Sequence, residues 1–582
     1  MLLIIMSMLI LTGLYIFGRF GISKSAKAEA YALYVSIFAL VWSIFGILVS
    51  FSPTAQKTLY VMLHGFHKTK KDLSTLSLNS EDLFKENLRS VVDVVDVVDV
   101  VDVVQGHQGL CLQCTSENIE ALNERPLLEE GILENYQNVD LNLDYGSFDG
   151  LTSIFVSLTT IISPIAILAS EKKTEMLSSL LLVEALLIGA FVTFDFVTFY
   201  ALFESVLIPM FFLIGGTGSG ATLFRTSAAY RLFLYTLGGS VLMLLSLIFL
   251  YLETGTLNWH HLVLKSVYSL NSENSLSNVI NLSGPGYGFY NQNPISQNSA
   301  SLLSEAHKKI GLLLFPLIFV AFAVKVPMIP VHLWLPEAHT IAPTPGSMIL
   351  AALLLKLGGY GILRWLMPIF PDGCVYYSPV ILTLAVISTT FACLTCLRQI
   401  DIKRIVAYSS IVHMNICIYS IFTLSPLAIK GAIFEMFSHG IISCGMFFLI
   451  GVVYNRHDTR ILKYFRGTVL TMPLFTTTFF IFILANSAVP LTCGFIGEFV
   501  MLSGSMAFLP LLTIILTVST IINAAYNIWL FNRMCFGGYS PYLTKTKDLT
   551  RKEAYVLMPL VFYIILLGIC PGSLFMLIDS IF

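Results

Sequence analysis

Apolar runs long enough to cross a bilayer recur along almost the whole chain, broken by short polar connections and by two long polar stretches. About 20 apolar residues in helical form span the hydrocarbon core, and roughly fourteen such stretches follow one another here. They lie near residues 2–19, 31–51, 150–169, 176–194, 196–214, 230–252, 310–328, 346–367, 376–396, 405–424, 430–453, 470–488, 490–534 and 554–577, with 490–534 reading as two helical pieces. Backbone groups deprived of water must pair within their own segment, so runs of this length predict helices. The pattern predicts an all-α integral membrane protein of about 14 transmembrane helices. The first run follows the initiator Met directly, with no Arg- and Ser-rich amphipathic presequence or small-residue cleavage site after it, and reads as a retained span.

The same pattern divides the chain into a transmembrane hairpin at 1–51, a polar insertion at 52–149, transmembrane helices at 150–252 that include Glu204, a polar loop at 253–309, and transmembrane helices at 310–577. In the insertion, Val91-Val92-Asp93 continues with Asp96, Asp99 and Asp102, a three-residue period that matches neither helix nor strand. A repeat expansion without a chemical role accounts for it better than a calcium site. The polar loop is rich in Ser, Asn and Gly, and its Gly286-Tyr287-Gly288 does not lie between two spans as an ion filter would. His260 and His261 in that loop read as solvated side chains. Gly216, Gly218 and Gly220 follow a span with no strand before them, so they read as a turn and not as a dinucleotide loop.

Composition agrees with the pattern: of 582 residues, 56% are hydrophobic and only 12% charged, which leaves no room for a soluble catalytic domain. No nucleic-acid partner is expected, and the lipid bilayer is the solvent. The 10 cysteines are mostly scattered through apolar stretches. Cys111 and Cys114 have no second pair at zinc spacing, so they read as free loop thiols, and no metal site is expected. With the amino terminus outside, loops on the inner side hold nineteen basic residues from Arg19 to Lys552, while the short outer loops hold only Arg364 and Lys430. The long polar stretches hold ten more, and the two left over from the total of 33 Lys and Arg are Lys325 and Lys356, each inside an apolar span.

A charge at the centre of a bilayer costs about 2.5–3.5 kcal/mol on insertion scales, so ionisable groups inside spans mark ion pathways or paired structural sites. The acids inside spans are Glu184, Glu204, Glu435 and Glu498. An ion path is the favoured reading for Glu204, Lys325, Lys356 and Glu498. For Glu184 and Glu435 a path and a structural pair stand level. Pro327 and Pro330 follow Lys325, while Pro490, Gly494 and Gly497 precede Glu498, so both spans should be interrupted. Paired breaks in the two halves of a chain are expected of transporters built from inverted repeats, with the site at mid-membrane. His332, His339, His413 and His439 lie in or beside spans and can carry protons at working pH. For His332 and His439, set among the charged helices, relay is the favoured reading. Titratable carriers without an oxygen cage or paired redox ligands favour protons over metals or electrons.

At these residues the sequence resembles a known family. The stretches Phe199-Tyr-Ala-Leu-Phe-Glu204-Ser-Val-Leu-Ile-Pro-Met, Ala323-Val-Lys325-Val-Pro-Met-Ile-Pro-Val-His332-Leu-Trp-Leu-Pro-Glu-Ala-His339, Leu353-Leu-Leu-Lys356-Leu-Gly-Gly-Tyr-Gly, the segment from Leu397 through Asp401 to His413, and Gly494-Phe-Ile-Gly-Glu498-Phe resemble the chain 4 family of mitochondrial NADH:ubiquinone oxidoreductase, respiratory complex I. The likeness covers about residues 145–252 and 310–577, and the long stretches 52–149 and 253–309 exceed the family's usual loops. It implies an antiporter-like fold and a proton-translocating role in the membrane arm, beside other membrane-arm subunits, in the mitochondrial inner membrane. It implies an ion pair of Glu204 with Lys325 beside a proton access path, a polar axis through Lys356, His439 and Glu498, and family histidine positions at His332 and His413. It also implies that FMN, iron–sulfur clusters and ubiquinone belong to other subunits, with no cofactor in this chain. A subunit of a sodium/proton antiporter complex and a passive membrane scaffold remain as competing readings.

Overall fold

A computed structural model of the chain describes residues 149–170, 173–264, 294–542 and 547–581. The spans expected at 2–19 and 31–51, the insertion with its Val-Val-Asp repeat and its two cysteines, and Gly286-Tyr287-Gly288 lie outside the described residues. Within them the chain is almost entirely helical, with no strand and two isolated bridges, Asp195 to Asn258 and Asp401 to Ile461.

The helices in chain order are α1 Gly150–Ala169, α2 Thr174–Val192, α3 Phe196–Thr217 and α4 Thr222–Thr254, then α5 Pro294–Lys325 and α6 Trp334–Ile341. They continue with α7 Thr344–Ile369, α8 Pro371–Cys396, α9 Ile402–Phe422 and α10 Pro426–His457. The series ends with α11 Pro473–Asn486, α12 Cys493–Met506, α13 Pro510–Cys535, α14 Arg551–Ile569 and α15 Gly572–Asp579. Among the described residues ten helices are long and apolar enough to cross a membrane, and α11 and α12 are shorter apolar pieces. Local chemistry sets many of the starts. Proline opens α8, α10, α11 and α13, where its fixed φ suits the first turn and its missing N–H would have found no partner. A reciprocal capping box between Thr550 and Glu553 opens α14.

Both expected interruptions are present. α5 stops at Lys325, and residues 326–333 turn through Pro327 and Pro330 before α6 begins. α11 stops at Asn486, and the chain turns through Ala488 and Leu491, both at positive φ, before α12. A third irregularity was not expected: α7 carries two π-helical segments, Leu350–Leu354 and Ile362–Leu366, on either side of Lys356.

α7, α9 and α10 are buried along nearly their whole length and form the centre. α13 instead presents Leu511, Ile514, Val518 and Ile521 outward at helical spacing, an exposed apolar face. α10 and α12 approach closely because α12 offers glycine at the contact. A Cβ at Gly497 would stand 2.3 Å from Glu435 Oε2, and one at Gly504 would stand 2.5 Å from the Ala428 nitrogen.

The polar loop differs from its reading at both ends. Residues 294–309 are helical, the start of α5; hydropathy marks where lipid lies, and a helix continues past it wherever the backbone can pair with itself. His260 is half-buried and not free in solvent. The Asp195–Asn258 bridge folds the loop back, and the His260 ring stacks on Phe194 at 5.3 Å while Trp259 Nε1 donates to the Arg364 carbonyl at 2.8 Å. Arg364, read as an outer-loop residue, is buried in α7, over the rings of Phe194 and Trp259 and 2.7 Å from Asp149. Its apolar neighbours cover the stem, and the carboxylate and rings take the charge.

Candidate functional site

Pro209 has no N–H to offer the Ser205 carbonyl, and α3 is interrupted at Val206, two residues after Glu204. Lys325 meets this interruption from the end of α5. Its Nζ lies 3.5 Å from the Phe203 carbonyl and 4.2 Å from the centre of the Phe203 ring. Glu204 acts electrostatically on Lys325, yet the two stay beyond the 4.0 Å of a direct ion pair. One Glu204 oxygen is buried without a hydrogen-bond partner in the protein. The pair read from the sequence is therefore in an open arrangement, with the ammonium held by backbone and ring.

Lys356 is fully buried between the two π segments of α7. Its Nζ donates to the Ala351 carbonyl at 2.7 Å and lies 2.7 Å from Nδ1 of His439 on α10. If the ammonium donates, Nδ1 accepts, and the imidazole proton sits on Nε2, which meets no protein partner. The His439 ring lies 5.3 Å from that of His413 on α9.

His413 then reaches two carboxylates. Its Nδ1 is 3.1 Å from Glu498 Oε1 on α12 and 3.5 Å from Glu435 Oε1 on α10. These are charge contacts and not aligned N–H···O bonds, since neither ring nitrogen meets the geometry of a hydrogen bond. Ser438 donates to Glu435 Oε2 at 2.8 Å. Among the described residues, this trio is the one group of His, Cys, Asp and Glu side chains placed to hold a cation, with ligand atoms within 4.8 Å of one another.

Lys356, His439, His413 and Glu498 are thus brought into one buried chain, and Glu204 and Lys325 into a second cluster. Other residues stand apart. His332 lies in the α5–α6 break against the rings of Phe391 and Tyr408, and His339 is stacked on Phe447 at 4.4 Å. Glu184 is buried in α2 beside the Ser163 hydroxyl, with no charged side chain acting on it. Sequence reasoning gave Glu435 no partner and overlooked an amide network where α11 breaks. Asn486 Nδ2 donates to Asn527 Oδ1 and Asn523 Nδ2 to the Asn486 carbonyl, each at 3.0 Å, and the Tyr526 hydroxyl donates to Asn523 Oδ1. The signal for it was Asn523 and Asn527 one helical turn apart in an apolar span.

Comparison with known proteins follows the same lines. Residues 193–523 match the family described as NADH:quinone oxidoreductase/Mrp antiporter, transmembrane. NADH-ubiquinone oxidoreductase chain 4 of Marchantia polymorpha is 40% identical over 442 residues, 75% of this chain and 80% of that one. The protein of the same name from Chondrus crispus is 42% identical over 432 residues, 73% and 79% of the two chains. A chain in the structure of respiratory complex I from Thermus thermophilus with bound NADH superposes with a TM-score of 0.63 at 25% identity, covering 75% of this chain and 85% of that one. With its broken helices and buried charges, the chain belongs to the NADH:quinone oxidoreductase/Mrp antiporter transmembrane family and, within it, to the NADH-ubiquinone oxidoreductase chain 4 family.

Proposed function

We propose that this chain is a proton-translocating membrane-arm subunit of NADH:ubiquinone oxidoreductase in the mitochondrial inner membrane. Protons move along a mid-membrane axis from Glu204 and Lys325 through Lys356, His439 and His413 to Glu498, coupled to quinone reduction in other subunits. Those subunits hold the FMN, the iron–sulfur clusters and the quinone; this chain holds no redox centre and adjoins the other membrane-arm subunits. His332 and Glu184, which stand apart from these two clusters, are secondary members of the path.

The observation that carries this reading is the 2.7 Å contact of Lys356 Nζ with His439 Nδ1. Besides the Ala351 carbonyl, Lys356 faces an imidazole, a partner able to take its proton and hand it on, which a lysine satisfied by carbonyls or a carboxylate alone does not have. Moving one charge against the membrane potential costs roughly 2.3 kcal/mol per 100 mV, which a change of a few pKa units across such a chain supplies at about 1.4 kcal/mol each.

The test replaces Lys356 with Met and, separately, Glu498 with Gln in the assembled complex, followed by proton uptake and NADH-driven quinone reduction. Both should fall at least tenfold. Pumping at the wild-type rate in either variant would return these charges to a structural role. A sodium/proton antiporter complex would show no inhibitor-sensitive quinone reduction at all.

A further inference from the structure

Glu435 is the one acid at the centre of this bundle to which the axis gives no part, and its surroundings are built to accept it. It lies in the first third of α10, almost wholly buried, where packing alone calls for an apolar side chain. Its Oε1 is 3.5 Å from His413 Nδ1, the nitrogen that lies 3.1 Å from Glu498 Oε1. Ser438, one turn along α10, donates to its other oxygen at 2.8 Å. Across the helix contact Gly497 leaves the space open, since a Cβ there would strike Glu435 Oε2 at 2.3 Å. The titratable groups facing Glu435 are His413 and Cys417 of α9, Glu498 and Cys493 of α12, and Lys356 of α7.

Charge counting restricts what such a site can hold. With no added proton the two carboxylates and the neutral imidazole carry two negative charges in a medium where each is expensive, so the trio retains at least one proton. That proton has three competing positions around one nitrogen. A carboxylic acid on one side loses its O–H proton to Nδ1, leaving a carboxylate beside an imidazolium that keeps its Nε2–H. The Nδ1–H bond then breaks toward the second carboxylate, forming its O–H and restoring the neutral ring. Atoms and charge balance at each step. Because the Nδ1 contacts are not aligned hydrogen bonds, a rotation of the ring selects the carboxylate that is served.

We propose that Glu435, His413 and Glu498 form one proton-sharing site at the Glu498 end of the axis, in which Glu435 holds a proton and His413 passes it between the two carboxylates. This rests on the proton-path reading above and adds to it a residue and a direction of branching.

The experiment compares Glu435→Gln and Glu435→Asp in the intact complex reconstituted into liposomes, reading pumping against pH and the infrared carbonyl stretch of protonated carboxyls. In the Gln variant one of the two negative neighbours that favour an imidazolium is gone. Its pumping profile should move to lower pH by about one unit, equivalent to a tenfold higher proton concentration for loading, with loss of one carboxyl band. The Asp variant keeps a titrating group farther from His413 and should lie between. A Gln variant with the wild-type profile and an unchanged carboxyl band would overturn the proposal and leave Glu435 as a hydrogen-bond acceptor for Ser438. Should the Gln variant not assemble, the Asp variant decides, and a wild-type profile there has the same consequence. Failure of the axis itself reads differently, as pumping retained in Lys356→Met or Glu498→Gln.

Discussion

Lys325 shows how much the position of one residue in a sequence reveals and what it withholds. An ammonium in an apolar span beside Pro327 has few structural reasons to be there, so its importance was legible from the cost of burial. Its contacts were not, because the Phe203 carbonyl and ring reach it only through the interruption of α3 at Val206. The open arrangement with Glu204 makes a titrating role testable. Closing the pair would change the proton affinity of both members, so the proposed role links motion at the α5 break to proton exchange. Lys325→Met should abolish or sharply reduce pumping and coupled quinone reduction even though it removes a buried charge. Lys325→Arg should fail as well, because a guanidinium keeps its proton at any physiological pH. Full coupled activity in the Arg variant would leave a fixed charge as the function of this position. Glu435 is the opposite case: apart from Ser438, nothing on α10 itself announces its partners, and the charged ones arrive from α9 and α12 and become neighbours only when those helices pack.

Elements were legible where they obey hydropathy and proline chemistry, and less so where they answer to packing. The breaks after Lys325 and Asn486 follow from Pro327, Pro330 and Pro490, which remove donors and force turns. The π segments of α7 have no such signal, since Leu350–Leu354 is an ordinary apolar run. What distinguishes it is that Lys356 Nζ returns to the Ala351 carbonyl within it. α6 is a further example: too short to be stable alone, it is held at its C-terminal carbonyls. Lys403 Nζ donates to Ala342 O at 2.7 Å, Arg460 donates to Thr340 O, and the Ser219 amide donates to Ile341 O at 2.8 Å. At this scale the α10–α12 contact makes the firmest prediction. Gly497→Ala places a methyl group against Glu435 Oε2, and the helices must separate or the carboxylate must move. Overpacking of this kind costs about 1–3 kcal/mol, so the variant complex should lose thermal stability. Its pumping should fall with the displacement of Glu435, and a variant with wild-type stability would show that the contact yields without strain.

Sidedness is a property of the whole chain, and here charge counting and geometry converge. A cavity of about 280 Å³ is lined by Lys173 from the α1–α2 connection, Ser219 from the α3–α4 connection, Ala342 after α6, Lys403 at the start of α9, and Arg460 after α10. Residues far apart in sequence therefore meet at one end of the bundle, and three of these five are basic members of the inner-side set counted from the loops. Basic loops retained on one side define the inside, so the cavity is expected on the matrix face. α1 runs away from that face, because its last residue Ala169 and the following Lys173 line the cavity while Gly150 begins at the opposite end. In that orientation the chain enters α1 from the outer side, at the end where Asp149 meets Arg364 at 2.7 Å. The insertion at 52–149 precedes α1 in the sequence, and its residues 57–144 carry seven basic and sixteen acidic side chains, no signal for retention inside. A hydrophilic protease added to inner-membrane vesicles with the matrix side outward should leave the insertion intact, while vesicles of the opposite orientation should lose it. Cleavage in the matrix-out vesicles would reverse the orientation of the whole subunit, and with it the side on which Lys403 and Arg460 meet water.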